Sequence, residues 1–195
     1  MTYTNEVLEC IIKRRSTRKY TGQQVPSEML DAMLEAAIWA PSGGNNQTWL
    51  FTAIQKPEVL AKLNGLVREG FQTWVPDDDY PGKHRMKEAV QNDGYCFYFH
   101  APTLVIASNV PHYENAMADC SLGMENLFIA AESMKLGTCY VNQLHWLRDD
   151  PGVRAYLAEL GVPREHTICS AAAVGYIAAE SPAPARKEGT INIIR

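Results

Sequence analysis

Thr103-Leu104-Val105-Ile106-Ala107-Ser108, followed soon after by the span from Ala116 to Leu136, decides how this chain folds. The first is an unbroken apolar run of strand length, and the second is helical in pattern and apolar on nearly every side. Both demand burial, so a strand and a helix are expected at the centre of the molecule. Asp119, Glu125, Asn126, Glu132 and Lys135 interrupt the helical span too often for a bilayer crossing, and no transmembrane segment is expected.

Toward the C-terminus, Gly137 suits the left-handed residue that closes such a helix, and Thr138-Cys139-Tyr140-Val141 reads as a strand. Asp150-Pro151 opens an amphipathic helix carrying Val153, Leu157 and Leu160, closed by Gly161, and His166 to Ile177 returns to strand. The proline-rich run Ser181 to Gly189 is incompatible with helix. The β-prone Thr190-Ile191-Asn192-Ile193-Ile194 that follows has no hairpin partner, so it is expected to pair elsewhere, another subunit being one option.

Toward the N-terminus, Thr4 offers an N-cap to a short helix with Val7, Leu8, Ile11 and Ile12 on one face. A second helix begins at Ser27, places Leu30, Met33, Leu34, Ala37 and Ile38 on one side, and stops at Pro41. Trp49 to Ile54 is a predicted strand and Pro57 to Val67 a predicted helix. Glu69 to Asn92 reads as a long excursion with one or two helical turns, of the kind that shapes a pocket.

The 195 residues, 46% of them hydrophobic, suffice for one core, and with no repeat or linker composition they read as a single α+β domain spanning 1–195. A net charge of −4 and a pI near 5.7 provide no general attraction to nucleic acid or to an anionic membrane. Any anion must therefore be held by a local cluster. Five cysteines without a CxxC pair, and no signal-peptide core after Met1, point to reduced thiols in a cytoplasm. His84, His100, His112, His145 and His166 stand apart, which argues against zinc, and no Gly-x-Gly-x-x-Gly supports a Rossmann site.

Two segments concentrate chemistry. Arg14-Arg15-Ser16-Thr17-Arg18 sets three guanidinium groups and two hydroxyls where a helix gives way to extended chain, a donor set that matches phosphate oxygens. A basic helix end is also favoured simply by the helix dipole. Pro41-Ser42-Gly43-Gly44-Asn45-Asn46-Gln47-Thr48-Trp49 combines glycines that let backbone approach a ligand with amides that can read ring edges, and it also suits an ordinary loop. Tyr95-Cys96-Phe97-Tyr98-Phe99, with Trp74 and Tyr80, fits either the wall of an aromatic pocket or core packing.

Together the two segments resemble the nitroreductase family, whose members carry Arg-Arg-Ser-x-Arg-x-aromatic and then Pro-Ser-x-x-Asn-x-Gln-Pro-Trp. The resemblance continues through Ala118-Asp119, Asn126-Leu127, Ala130-Ala131, Leu136 to Val141, Val174-Gly175-Tyr176 and Pro184-Ala185-Arg186-Lys187. Thr48 stands in place of the usual proline, Lys135 where glycine is frequent, and Asn142 where glycine or glutamate is commoner.

The resemblance implies an α+β fold: a mixed, mainly antiparallel sheet flanked by helices, a central helix at a homodimer interface, and a C-terminal strand exchanged with the partner. It implies an FMN cofactor, with Arg14, Arg15, Ser16 and Arg18 on the phosphate and ribityl chain, and Arg186 and Lys187 completing the phosphate grip. Pro41, Ser42, Gly43, Asn45 and Gln47 would reach the flavin from the other subunit. Cys139, Tyr140, Val141 and Asn142 would run beside the ring and offer a backbone N–H to its N5. No catalytic side chain and no metal are implied, and Cys139, lacking an adjacent base, is expected to behave as a small buried hydrophobe. The implied activity is a ping-pong reaction, in which NADH or NADPH reduces the flavin and an electron-poor small molecule, such as a nitroaromatic or quinone, reoxidises it. Alternatives are a specialised flavin enzyme of the same fold (dehalogenating, dehydrogenating or flavin-fragmenting) and a non-catalytic FMN carrier.

Overall fold

A computed structural model of the chain describes residues 3–75 and 81–195. Its centre is a four-stranded sheet in the order β1-β2-β4-β3, formed by β1 (Leu50–Ile54), β2 (Thr103–Asn109), β3 (Leu136–Val141) and β4 (Thr167–Tyr176). All three ladders are antiparallel, and β2 and β4 shift register between Ala107 and Ser108. The parallel element implied by a mixed sheet shrinks to one bridge, Ser16 with Thr138, on the outer edge of β3.

An antiparallel sheet commonly leaves one face to water, but this one is covered on both. Leu104 and Ile106 of β2, with Ala171 and Ala173 of β4, join one core cluster; Val105 and Ala107, with Ala172 and Val174, join the other. Alternate side chains thus point into two separate apolar layers, which explains why β2 reads as a continuous apolar run with every residue buried. The first layer contains α3 (Pro57–Thr73), α7 (Gln143–Trp146) and α8 (Pro151–Glu159). The second contains α2 (Ser27–Ile38) and α6 (Ala116–Ser133), which pack on each other. The aromatic run resolves toward packing: Phe97 and Tyr98 are core residues, and only its ends are less buried. Tyr80 lies outside the described residues.

Several boundaries depart from the sequence pattern for identifiable reasons. α1 (Glu6–Lys13) is capped by the Asn5 side chain, which accepts from the Leu8 N–H at 2.9 Å, rather than by Thr4. Its apolar face is not buried in its own chain: Val7, Ile11 and Ile12 are all exposed. α3 runs six residues beyond Val67 because Val67, Gly70 and Phe71 continue its buried stripe, so the excursion begins later than expected. Two short helices, α4 (Pro81–His84) and α5 (Met86–Ala89), occupy its second half. Gly137 does not close α6. Lys135 takes the left-handed conformation, at φ 64°, and β3 begins immediately after it. Gly137 is needed inside β3 instead, because a Cβ there would stand 2.7 Å from Thr17 Cβ and 2.8 Å from Ile177 Cγ1. Asp150 and Gly161 do bracket α8 as expected, Asp150 as N-cap and Gly161 at φ 93°.

Thr190 to Ile194 forms no strand within the chain. From Ile177 onward every residue is exposed, and Ile191, Ile193 and Ile194 offer their side chains to solvent. Among the described residues no helix is long and apolar enough to cross a membrane.

Candidate flavin site

The site is built on the exposed edge of β3. α1 ends at Lys13, and the backbone leaves it extended at Arg14 (φ −52°, ψ 135°). The Arg14–Arg18 segment then lies along β3, fixed by the Ser16–Thr138 bridge and by the Thr17 N–H donating to Thr138 O at 2.8 Å. Tyr20 anchors its far end, with its hydroxyl 2.7 Å from Thr17 O and 3.2 Å from Ala173 O. Burial pushes the Tyr20 phenol upward, so it stays a neutral donor.

The three arginines have different fates. The Arg14 guanidinium lies over the Phe128 ring, 5.7 Å from its centre, with Nε 3.7 Å from Glu125 Oε1; that nitrogen is buried and has no hydrogen-bond acceptor. Arg18 sits over the Phe99 ring at 5.8 Å, with one long contact of 3.4 Å to Ser16 O. Arg15 turns back, donating to Ile12 O at 2.6 Å and Arg14 O at 2.7 Å. It thereby satisfies carbonyls at the end of α1 and lines a separate cavity of about 310 Å³ with Lys13, Thr17 and Glu132. Nη1 of Arg15 is thus engaged at the helix terminus, whereas Arg14 and Arg18 lie over aromatic rings.

The charges of Arg14 and Arg18 are both felt at Cys139. Burial raises the Cys139 thiol, and the two guanidinium charges only partly oppose that rise. The thiol therefore stays protonated at neutral pH. In a native alkylation series followed by peptide mass mapping at pH 7, Cys139 is expected to remain unmodified while the half-buried Cys10 reacts; prompt labelling of Cys139 at that pH would refute this assignment.

Beyond Cys139, β3 ends at Val141, and Asn142 leads into α7 half-buried. Here the excursion folds back onto the strand end. Met86 of α5 takes weak contacts from the Tyr95 hydroxyl (3.8 Å) and from Gln143 Nε2 (4.0 Å), and Gln143 Oε1 is buried without a donor. Met86 and Gln143 carry no sequence signal, because neither belongs to a motif.

The Pro41–Gln47 loop is a compact, outward-facing unit. Gly43–Asn45 form one 3₁₀ turn, Gln47 N–H donates to Ser42 Oγ at 3.1 Å, and Gln47 Nε2 donates to Asn45 Oδ1 at 2.9 Å. Gly44, Asn45 and Gln47 all have positive φ, at 59°, 55° and 50°. For a side chain such as Gln47 this costs on the order of 1 kcal/mol or more, the kind of strain that gathers at binding sites. Among the described residues, the loop's contacts run to Tyr113, Asn115 and Asp119 rather than to the Arg14–Arg18 segment.

Arg186 and Lys187 lie on the exposed C-terminal arm and are not brought to Arg14 or Arg18 within the chain. One chain therefore assembles Arg14, Ser16 and Arg18 with Cys139 to Asn142, and holds the 41–47 loop and the Arg186–Lys187 pair elsewhere.

A doubly covered antiparallel sheet whose edge strand carries an arginine-lined extended segment defines an α+β protein. The nitroreductase family profile matches residues 11–176. An FMN-bound nitroreductase from Bacteroides fragilis superposes with a TM-score of 0.91 at 43% identity, covering 98% of this chain and 100% of that one. A protein of Archaeoglobus fulgidus named as an NADH dehydrogenase/NAD(P)H nitroreductase is 27% identical over 88% of this chain and 85% of its own length. Human iodotyrosine deiodinase 1 is 35% identical over 66 residues, which are 34% of this chain and 23% of that protein. The chain belongs to the nitroreductase family, as the motifs at Arg14–Tyr20 and Pro41–Trp49 implied, and is an oxidoreductase of the FMN-dependent type.

Proposed function

We propose that the protein is a homodimeric NAD(P)H oxidoreductase that holds FMN along β3 and reduces small electron-poor acceptors such as nitroaromatics or quinones. The observation that carries this reading is the buried Arg14 Nε, which has no hydrogen-bond acceptor and only a 3.7 Å ion pair with the exposed Glu125. A buried guanidinium N–H without an acceptor is costly, and a phosphate would supply the oxygen that satisfies it.

Arg14, Ser16 and Arg18 would grip the phosphate and ribityl chain, and the Cys139–Asn142 backbone would align one edge of the ring. Bound FMN would supply the two-electron chemistry, accepting a hydride from NADH or NADPH and passing it to the acceptor. The chain's part is orientation and electrostatics: Met86, Tyr95 and Gln143 wall the ring's end, and no acid or base is required of them. The partner's 41–47 loop and Arg186–Lys187 pair would complete each site, with Arg15 in a supporting role at the end of α1. The exposed apolar residues of α1, α2 and α6, among them Val7, Ile11, Ile38 and Leu122, support a covering subunit. The outer edge of β1 is available to the partner's Thr190–Ile194. Five unpaired cysteines fit a reducing cytoplasm.

The purified protein is expected to show a flavin absorption spectrum that bleaches anaerobically with NADH or NADPH and returns when a quinone is added. No uptake of FMN would overturn the assignment. A flavin that stays coloured with both donors would favour a specialised enzyme, a reading to which the stretch shared with iodotyrosine deiodinase lends some support, or a flavin carrier.

A further inference from the structure

Asp119, Gly123 and Asn126 stand at i, i+4, i+7 on α6, one stripe of the helix, and that stripe grips both sides of the turn between α2 and β1. Asn126 Nδ2 donates to Ala36 O at 3.0 Å, a carbonyl in the last turn of α2 with no intrahelical donor left to it. At Gly123 a Cβ would lie 2.5 Å from the Phe51 ring and 3.1 Å from Ala37 O, so glycine allows α6 to approach α2 closely. Asp119 is only 3% exposed, and both of its oxygens stand 3.2 Å from the Gly43 N–H. The Tyr113 hydroxyl lies 2.8 Å from Asp119 Oδ2 and 3.0 Å from Gly43 O. Asp119 thereby holds the Gly43 N–H, the single Tyr113 hydroxyl proton lies between the Asp119 carboxylate and the Gly43 carbonyl, and a side chain at Gly43 would run into Asn115 and the Tyr113 hydroxyl.

We infer that Asp119, acting with Tyr113, is the positioning residue of the 41–47 loop, and that it sets flavin affinity by holding the loop in its strained conformation. The inference rests on assigning that loop to the flavin site. A carboxylate buried on the inward face of α6 is unfavourable unless it does something a hydrophobe could not, and here it receives a backbone N–H from a segment with three left-handed residues. Without the clamp the loop relaxes out of those conformations, and apparent affinity falls with the fraction of time it is competent to bind.

Three variants test this: Asp119→Asn, Asp119→Ala and Tyr113→Phe, each measured for melting temperature, hydrogen exchange and FMN affinity. In Tyr113→Phe and Asp119→Asn, amide exchange over residues 43–47 should accelerate at least roughly tenfold while β2 and β4 keep their protection, and the FMN dissociation constant should rise about tenfold. Asp119→Ala should do the same more strongly. A lowered melting temperature with unchanged loop exchange and unchanged affinity would mean that Asp119 is only a packing residue, and the inference would fall. If Asp119→Ala does not fold, Tyr113→Phe, which removes a single hydroxyl, decides alone. If the wild-type protein takes up no FMN, the flavin reading fails, and the loop exchange still decides whether the clamp exists.

Discussion

Replacing Arg14 and Arg18 together by alanine is expected to weaken FMN binding by two to four orders of magnitude and leave the fold intact. Each charge-assisted contact to a phosphate is worth roughly 1.5–3 kcal/mol, and every ~1.4 kcal/mol is a factor of ten. Neither arginine holds the fold together. Beyond their ring contacts with Phe128 and Phe99, Arg14 has one distant ion-pair partner, the exposed Glu125, and Arg18 one long hydrogen bond, so both can be removed without orphaning a buried acceptor. Lysine should restore only part of the affinity, because it lacks the planar fork that binds two oxygens at once. Arg15→Ala should behave differently, lowering stability through the end of α1 more than it lowers flavin affinity. Fluorescence titration of FMN, with thermal melts in parallel, separates the two; undiminished affinity in the double variant would place the phosphate elsewhere.

Deleting residues 181–195 should have an effect of comparable size by another route. Nothing in this arm is buried within its own chain, so its removal costs the fold little. In the dimer proposed above, its isoleucines and the Arg186–Lys187 pair would act against a second copy. The truncated protein is expected to sediment as one chain where the full protein sediments as two, and to lose its flavin on desalting, with affinity reduced about a hundredfold or more. A truncated protein that remains a flavin-loaded dimer would show that the arm is dispensable, and the exchange of its strand would have to be abandoned.

The fold was legible wherever burial writes a period into the chain. The two-sided burial of β2 and the all-round apolarity of α6 follow from the sequence, and so do the caps of α8, because Asp150 and Gly161 are chemically suited to their positions. Asn5 and Thr4 compete as caps of α1 on nearly equal terms, and propensity alone does not choose between them. Gly137 misled because glycine answers two different needs, a positive φ and a close approach, and here only the second applies. Of the site, the local pieces could be read: Arg14–Arg18 and the 41–47 loop each advertise their chemistry. That Ser16 lies against Thr138, and so carries Arg14 and Arg18 to Cys139, depends on a pairing across more than a hundred residues that no local pattern records. Asp119 was visible as an acid interrupting an apolar helix and as part of the family resemblance, but not as a loop clamp, since its partner, the Gly43 N–H, has no side chain to advertise it.

α1 is eight residues long and buries none of them. Helices of that length are marginal in water on their own, so its order rests on its packing against α6 and, in the dimer proposed above, on the subunit that would cover Val7 and Ile11. Its last turn delivers Arg14. On that reading the phosphate grip would be governed by mass action as well as by geometry: dilution that separates the chains would fray α1 first and release the cofactor with it, before the sheet at the centre of the molecule loses any of its packing.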